Sequence, residues 1–336
     1  MYEKIIVVTR RTRLQELIAK FNTRGQAKFY IEHSGGDFAD YQREDDNYRR
    51  SIEIVQNQIG NTLKAQFVDR DFLPNFIFSE KDIVVALGQD GLVANAAKYV
   101  GSQPIIGVNP DPERFDGILV PMSATQLQQA IKSVITNTAS VKSVSLAEAV
   151  LNDGQKLLAF NDLFIGARTH ISARYRLELN GCSELQSSSG LIVATGAGST
   201  GWLSSIFNMV SSINAFTRSG EKHTDTSAKK ITQKTKDSGA GAKWASAQLC
   251  FVVREPFISR QSTAKMVIGM LTAEQELVIE SRMPSGGTIF SDGVESDFLS
   301  FDSGMTARIR AAKQCVKLIQ PIKVPTGATI DSKTRN

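Results

Sequence analysis

The sequence is poor in the residues that build disulfide frameworks and metal sites. Its 336 residues include three cysteines and three histidines, and neither set has the spacing of a metal-binding motif. An odd number of scattered cysteines argues against a disulfide scaffold and favours a reducing compartment. We therefore predict neither a structural disulfide nor a metal site built from protein ligands.

Long apolar runs are also missing. No uninterrupted apolar stretch approaches the ~20 residues that a membrane-spanning helix needs. The apolar core of the N-terminal stretch MYEKIIVVTRR is too short for a signal peptide. We expect a cytoplasmic, soluble protein with no membrane partner.

Charge is close to balanced, except in one segment. The net charge is +5, which suits an anionic small molecule at least as well as nucleic acid, and we expect no nucleic-acid partner. Residues 218–243 contain seven Lys or Arg against three acidic residues and no aromatic residue. Such a composition predicts a mobile basic insertion, either a plain solvated loop or a flap that covers a polyanionic ligand. The tail, 322–336, is expected to fray.

The chain length and the pattern of elements predict two domains. Up to about residue 140, strands such as KIIVVTR and DIVVALG alternate with helices such as TRLQELIAKF. This pattern predicts a Rossmann-like α/β domain with a mostly parallel sheet, residues 1–140. Residues 141–321 then give strand after strand, interrupted by one helix near 200–216, which predicts a β-rich, sandwich-like domain.

The first chemistry-bearing motif is the turn Gly88-Gln89-Asp90-Gly91, where a buried strand passes into a helix. Ligands of open α/β sheets bind beyond the carboxyl ends of the strands, and glycines let a backbone approach a phosphate. Asp90 can take the proton of an attacking alcohol or help to hold Mg²⁺. The alternative is a plain N-cap for the following helix.

The second motif is GLIVATGAGSTGW, in which a strand runs into a glycine-rich helix start. Gly196, Gly198 and Gly201 satisfy G-x-G-x-x-G, but no βαβ unit with a closing acidic residue surrounds them. Ser199 resembles a nucleophile elbow, but the hydrolase order leaves only His223 as its base, inside the predicted mobile loop. The small residues and hydroxyls of this turn still suit a phosphate, a ribose or an adenine edge.

The third motif is AFNDLFIGA, in which Asn161 and Asp162 interrupt an apolar strand. Consecutive strand residues face opposite sides of a sheet, so at least one of the two is buried and needs a partner. A structural hydrogen bond to a neighbouring turn and a contact to a ribose hydroxyl are the two interpretations.

In this order and spacing, the three motifs resemble those of the NAD kinases, a family that shares a superfamily with diacylglycerol kinases and phosphofructokinases. PIIGVN after the Asp turn and FSDG near the C-terminus also fit, so the resemblance covers roughly residues 80–320. It implies an NAD kinase-like fold, an α/β domain followed by a β-rich domain.

The resemblance also implies roles for individual residues. Asp90 matches the family's Gly-Gly-Asp-Gly carboxylate, implied to activate the 2′-hydroxyl of the NAD adenosine ribose. Asn161 and Asp162 match an Asn-Glu pair that contacts the dinucleotide. The remaining implied substrate-binding residues lie on either side of Asp90 and in the third stretch: Gly88, Gln89, Gly91, Thr195, Ala197, Gly198, Ser199, Thr200 and Trp202.

Several positions depart from the family pattern. Gln89 replaces a glycine, Gly196 a proline and Trp202 a tyrosine, while Asp162 is one methylene shorter than Glu. Ser189 stands where the family has an aspartate near the nicotinamide end. These departures suggest a pocket that is tuned to a related ligand.

The resulting prediction is an ATP-dependent kinase that phosphorylates NAD(H) or a related adenine nucleotide, with Asp90 as general base and Mg²⁺ carried on the ATP phosphates. A homo-oligomer is expected. The alternatives are a non-catalytic nucleotide-binding or sensing protein of the same fold, and a lipid or sugar kinase of the same superfamily.

Overall fold

The computed structural model describes residues 1–60, 62–218 and 244–321. Beyond Arg218, which ends a helix, the predicted basic insertion 218–243 lies outside the described residues. The predicted tail at 322–336 also lies outside them.

The N-terminal part is built on parallel strands whose side chains are buried on both faces. Alternate residues of β1 enter two separate cores: Ile6 and Val8 pack on one side of the sheet, Ile5 and Val7 on the other. Helices therefore cover both faces, as expected for a parallel sheet. The strands are β1 (Lys4–Thr9), β2 (Lys64–Asp69), β3 (Asp82–Leu87), β4 (Pro104–Asn109) and β5 (Met122–Ser123).

The helices of this part are α1 (Arg13–Phe21), α2 (Arg24–His33), α3 (Phe38–Ile59), α4 (Asp90–Ala97) and α5 (Leu127–Ile135). Thr12 begins α1 with a capping box, in which side chain and backbone satisfy each other's free groups. The sequence pattern did not predict α2. It also placed the start of α3 too late, because the buried charges Glu44 and Asp45 break its apolar period.

The C-terminal part is mostly antiparallel, and two strands in it, β10 and β16, were not predicted. Its elements are β6 (Val141–Leu151), β7 (Lys156–Ala159), β8 (Asp162–Ala167), β9 (Ala173–Leu179), β10 (Cys182–Ser188), β11 (Leu191–Ala194), α6 (Trp202–Arg218), β12 (Leu249–Val253), β13 (Ile268–Leu271), β14 (Leu277–Ser281), β15 (Gly287–Ser291), β16 (Val294–Ser300) and β17 (Thr306–Ile319).

The described strands form two sheets. The large sheet has the order β10-β9-β14-β17-β4-β3-β1-β2, with β5 beside β4, β6 beside β17 and β7 beside β6. The small sheet has the order β13-β12-β11-β8-β15-β16. Side chains such as Leu177 and Ile309 of the large sheet pack against Ile165 and Phe251 of the small sheet in one core. The C-terminal part is thus a β-sandwich.

The large sheet passes through both parts of the chain, because β17 pairs in parallel with β4 and antiparallel with β6. The predicted fold class, an α/β part followed by a β-rich sandwich, is confirmed. The proposed boundary near residue 140 stays a prediction.

Candidate functional site

A cavity of about 420 Å³ lies where the three predicted motifs meet. Its wall brings together residues that are more than a hundred positions apart in the chain. Of the predicted site residues, those that line it are Asp90, Gly91, Asn161, Asp162, Ala197, Thr200 and Trp202. The other predicted residues, Gly88, Gln89, Thr195, Gly198 and Ser199, lie in the same turns but are not part of this wall.

The turn that carries Asp90 follows the buried strand β3. Gly88 is buried and its N–H donates to the carbonyl of Val108 (3.0 Å), which fixes the turn against β4. Gln89 occupies the N-cap position of α4, and its side chain makes no capping hydrogen bond within the described residues. The cap alternative for Asp90 is therefore wrong, because Asp90 is the first residue of the helix rather than its cap.

The carboxylate of Asp90 is held by a neighbouring loop. It accepts hydrogen bonds from the backbone N–H groups of Ile118 (3.1 Å) and Leu119 (2.8 Å), one on each oxygen. A carboxylate oxygen accepts two bonds, so each retains capacity for a ligand. Next to it, a Cβ built on Gly91 meets nothing within 4 Å among the described residues. Open space therefore adjoins the start of α4.

Asn161 and Asp162 lie where the chain leaves one sheet for the other. The expectation of one continuous strand is wrong: β7 ends at Ala159 in the large sheet, and β8 begins at Asp162 in the small sheet. The backbone between them is satisfied from outside, since Thr195 donates its N–H to the carbonyl of Asn161 (2.8 Å) and its hydroxyl to that of Phe160 (2.6 Å).

The glycine-rich stretch begins with a 3₁₀ turn, Ala197–Thr200, and α6 starts only at Trp202, later than predicted. A Cβ on Gly198 would lie 2.0 Å from the carbonyl oxygen of Asn161, so this close approach requires glycine. The hydroxyl of Ser199 donates to the carbonyl of Gly196 (2.8 Å). Gly198 therefore packs this turn directly against the crossing between the sheets, and the Ser199 hydroxyl braces the turn itself.

Asp292 is the main cavity residue that sequence reasoning did not assign to the site. It occupies the turn between β15 and β16 with φ of 54°. Its carboxylate accepts from three successive backbone N–H groups, those of Phe160 (2.9 Å), Asn161 (2.6 Å) and Asp162 (3.3 Å). The FSDG motif contained the signal, but Asp-Gly between strands indicates a hairpin turn first.

Two buried carboxyl groups thus share one wall of the cavity. Burial raises the pKa of Asp162 to about 7, and the negative charge of Asp292 adds to this effect. Loss of hydration also raises the pKa of Asp292, although its three N–H donors and the ammonium of Lys98 oppose the shift. Asp162 consequently exchanges its proton near neutral pH, where it can either donate or accept a hydrogen bond.

Lys98 connects the helix that carries Asp90 to the hairpin that carries Asp292. Its side chain is 2% exposed and its ammonium lies 3.6 Å from Asp297, with a hydrogen bond of 2.9 Å to the hydroxyl of Ser291. Burial lowers the pKa of Lys98, while the charges of Asp292 and Asp297 act in the opposite direction. The hydroxyl of Tyr99 also donates to Asp297. Two walls of the cavity are therefore braced by one buried polar cluster.

A second cavity, of about 620 Å³, adjoins the first across Trp202, which lines both. The Trp202 ring stacks on Phe164 with centroids 5.7 Å apart, and Phe164 stacks on Phe290 at 4.8 Å. The guanidinium of Arg254 lies 5.3 Å from the centroid of the Trp202 ring. Ser189, one of the departures from the family pattern, also lines this adjoining cavity.

The site contains carboxylates but no ready-made metal cage. In the part of the chain that the structure describes, no group of three or more His, Cys, Asp or Glu residues is arranged to hold a metal ion. The oxygens of Asp90 and Asp292 already accept backbone hydrogen bonds. A divalent cation here would need most of its ligands from a bound nucleotide.

The fold is of the NAD kinase type. The chain superimposes on an NAD kinase from Archaeoglobus fulgidus in complex with ATP, with a TM-score of 0.54 and 14% identity over 94% of this chain and 93% of that one. It also superimposes on yeast NADH kinase complexed with NADH, with a TM-score of 0.53 and 14% identity over 96% and 84% of the two chains.

Sequence similarity agrees with the fold. The chain is 30% identical over 126 residues to NAD kinase of Chlorobaculum tepidum, 36% of this chain and 43% of that protein. It is also 30% identical to NAD kinase of Rickettsia bellii over 129 residues, which are 37% of this chain and 49% of that protein. A probable NADH kinase of Oryza sativa subsp. japonica is 24% identical over 278 residues, which are 76% of this chain and 75% of that protein.

The match to the two bacterial enzymes spans less than half of their length. No protein-family model matches the chain. The resemblance to a divergent NAD kinase-like family is nevertheless confirmed by sequence and fold together. None of the described helices has the length and apolar character needed to cross a membrane.

Proposed function

We propose that the protein is an ATP-dependent kinase that phosphorylates NAD(H) or a closely related adenine nucleotide. One observation carries the proposal: three motifs that are distant in sequence line one cavity, with the Asp90 turn facing the crossing at Asn161 and Asp162. The relatives named NAD kinase and NADH kinase support the same reaction.

The proposed chemistry assigns Asp90 as the general base for the adenosine 2′-hydroxyl. Its two backbone hydrogen bonds fix the carboxylate in place and leave an acceptor site on each oxygen, which suits a group that must meet one hydroxyl. Asp162, with a pKa raised to about 7, is placed to hydrogen-bond a ribose hydroxyl in either protonation state.

The dinucleotide would extend across Trp202, with the adenosine ribose in the first cavity and the remainder in the adjoining one. The stacked rings of Trp202 and Phe164 offer a flat apolar surface for a base, and Arg254 supplies positive charge beside it. Ser189 in the adjoining cavity stands where the family pattern has an aspartate, so the carboxylates that remain there to meet a nicotinamide ring are those of Glu255 and Glu295.

Mg²⁺ would enter with ATP. When bound, it neutralises the charge that develops on the transferred phosphoryl group. Asp90 and Asp162 line the cavity and would be the carboxylates to contact it or its water shell, with the nucleotide phosphates supplying most of the ligands.

The test is product formation by the purified protein with ATP, Mg²⁺ and either NAD or NADH, followed with an NADP-specific dehydrogenase. We expect NADP(H) to form, and Asp90→Asn to slow its formation by about 10²–10⁴-fold, the usual contribution of a general base. The matched control is Asp71→Asn, which removes an exposed carboxylate outside the cavity and should keep full activity. If Asp90→Asn kept full activity, Asp90 would not be the general base.

A non-catalytic nucleotide-binding protein of the same fold is the second candidate. It is favoured by Gln89 and Ser189, which depart from the family pattern, and Ser189 lines the adjoining cavity. Saturable binding of NADH without formation of any phosphorylated product would select this function over the kinase.

A further inference from the structure

The small sheet ends in an unprotected edge at β13. This is the last strand in the order of the sheet, and Val253 at the end of β12 donates its N–H to the carbonyl of Val267 (2.8 Å). Because backbone groups alternate in direction along an antiparallel strand, every second residue from Val267 onward bonds to β12. The residues between them, Ile268 and Met270, point their N–H and C=O groups away from the sheet, where no strand pairs with them in the described part of the chain.

The other ends of the two strand orders are protected against pairing with another chain. β2 carries Lys64, and β16 carries Glu295 and Asp297; charged side chains on an edge discourage pairing. β10 is covered by the loop after β12, since Phe257 donates its N–H to the carbonyl of Ser187 (2.8 Å). β13, with the sequence IGML, has neither a charge nor such a cover among the described residues.

The outer face of β13 is apolar and exposed. Leu271 belongs to the sandwich core, and the ring of Phe251 lies 2.5 Å from the position that a Cβ on Gly269 would occupy. Side chains alternate along a strand, so Ile268 and Met270 lie on the opposite face, where they are 55% and 56% exposed. Large apolar side chains along a free edge indicate an interaction surface.

A groove of about 420 Å³ extends this surface onto α6. The helix contributes Phe207 and Val210 to its wall, and the sheet contributes Cys250 and Met270. Ile213 continues the same flank of α6 one turn further, and the three helix side chains are from 38% to 53% exposed. We define the β13 face as the following five residues: Ile268, Met270, Phe207, Val210 and Ile213.

The β13 strand is complementary to a second copy of itself. In an antiparallel pair related by a two-fold axis, Ile268 of each copy lies opposite Met270 of the other, so that the outward N–H and C=O groups of both residues are satisfied. The apolar side chains of each pair then meet on the outer face. Gly269 lies at the axis, where it has no side chain to hold the two strands apart. One surface thus supplies both halves of the contact, as a symmetric dimer requires.

We propose that two copies of the chain associate through their β13 faces. The two small sheets become one continuous sheet, with six strands from each copy, and both α6 helices lie on its outer face. At their exposed fractions the five side chains present about 500 Å² per copy, so the pair removes about 1,000 Å² from water, the lower limit for a specific interface. The proposal does not depend on the kinase activity, so its failure would leave the proposed function untouched.

The first test is sedimentation equilibrium of the full chain from about 1 to 100 µM, the range in which an interface of this size begins to associate. We expect the average mass to rise with concentration from that of one chain to that of two. Ile268→Glu and Met270→Lys each place a charge in the contact. Each should raise the dissociation constant by at least about 30-fold, the effect of losing a hot-spot residue.

The control is Ile135→Lys, which places a charge on another exposed isoleucine, at the end of α5, and should leave the dissociation constant unchanged. The circular dichroism of all three variants should match that of the wild type, because the side chains that are replaced are exposed. A wild type that stays a single chain at every concentration would overturn the proposal. So would a dimer that Ile268→Glu and Met270→Lys leave intact.

The second test is an equimolar mixture of the two charged variants, and it addresses the register of the strands. In the proposed pairing, the carboxylate introduced at position 268 of one copy lies opposite the ammonium introduced at position 270 of the other. The mixture should therefore form a heterodimer at concentrations at which each variant alone stays monomeric. If the mixture dissociated as readily as either variant alone, the β13 strands would not pair in this way and the proposed contact would be wrong.

Discussion

Replacing Asp162 by asparagine should change how stability depends on pH. The folded protein raises the pKa of Asp162 from 3.8 to about 7, so the folded state holds this proton more tightly than the unfolded state. The contribution of Asp162 to the free energy of unfolding is therefore largest below pH ~4 and is lost as pH rises to about 7. An asparagine at this position does not titrate.

The magnitude follows from the width of this window. Each pH unit between the two pKa values changes the free energy of unfolding by about 1.4 kcal/mol, so the interval from pH 5 to pH 7 corresponds to about 3 kcal/mol. The stability of Asp162→Asn relative to the wild type should rise by that amount between pH 5 and pH 8. Most of the rise should be complete at pH 7.

Urea unfolding followed by circular dichroism at pH 5, 6, 7 and 8 measures this difference directly. Glu178→Gln, which replaces an exposed carboxyl on β9, is the control and should track the wild type. If the stability difference between Asp162→Asn and the wild type were constant across these pH values, Asp162 would not be a buried group with a raised pKa.

Three further substitutions test the turns around the cavity. Gly198→Ala places a Cβ 2.0 Å from a backbone carbonyl oxygen and should lower the free energy of unfolding by about 1–3 kcal/mol or more. Gly91→Ala, with open space around its Cβ, should change it little. Equal effects of the two variants in urea unfolding would contradict the close contact at Gly198. Lys98→Met removes the buried cation beside Asp297 and should lower the free energy of unfolding by about 3 kcal/mol, whereas the exposed Lys156→Met should lower it by less than about 0.5 kcal/mol. An unchanged stability of Lys98→Met would show that this ion pair does not support the fold. Gln89→Gly should weaken NADH binding by about 0.5–1.5 kcal/mol, measured by calorimetry, if its amide, which makes no capping bond within the described residues, recognises the ligand. Faster NADP(H) formation at undiminished affinity would show that the side chain only obstructs.

The sequence predicted the core elements of the fold wherever apolar periodicity was clear. β1 and β3 are continuous apolar runs, and α1 has a regular apolar stripe, so the type and position of these elements could be predicted. α2 was not, because its aromatic residues Phe29 and Tyr30 are exposed, at 63% and 44%, and leave it with little apolar face.

Long-range polar contacts account for what sequence reasoning missed in the candidate site. In the sequence, Lys98 is an ordinary lysine at the end of a helix. Its hydrogen bond to Ser291, 193 positions away, is seen only in the tertiary structure. Asp292 reads as a hairpin turn, and its three N–H donors come from a segment about 130 residues earlier. Neither contact leaves a periodic pattern that a single sequence displays.

Intrinsic fluorescence tests whether the cavity shared by the three motifs is the NAD(H) site. The chain has two tryptophans, Trp202 and Trp244, and both line this cavity. NADH absorbs at the wavelengths at which tryptophan emits, so NADH bound there should quench the tryptophan emission saturably and show sensitised emission of its own. NAD should reverse or prevent the effect by competition for the same site, and Trp202→Phe should reduce it. If calorimetry showed NADH binding but neither tryptophan transferred energy to it, the nucleotide would lie outside this cavity.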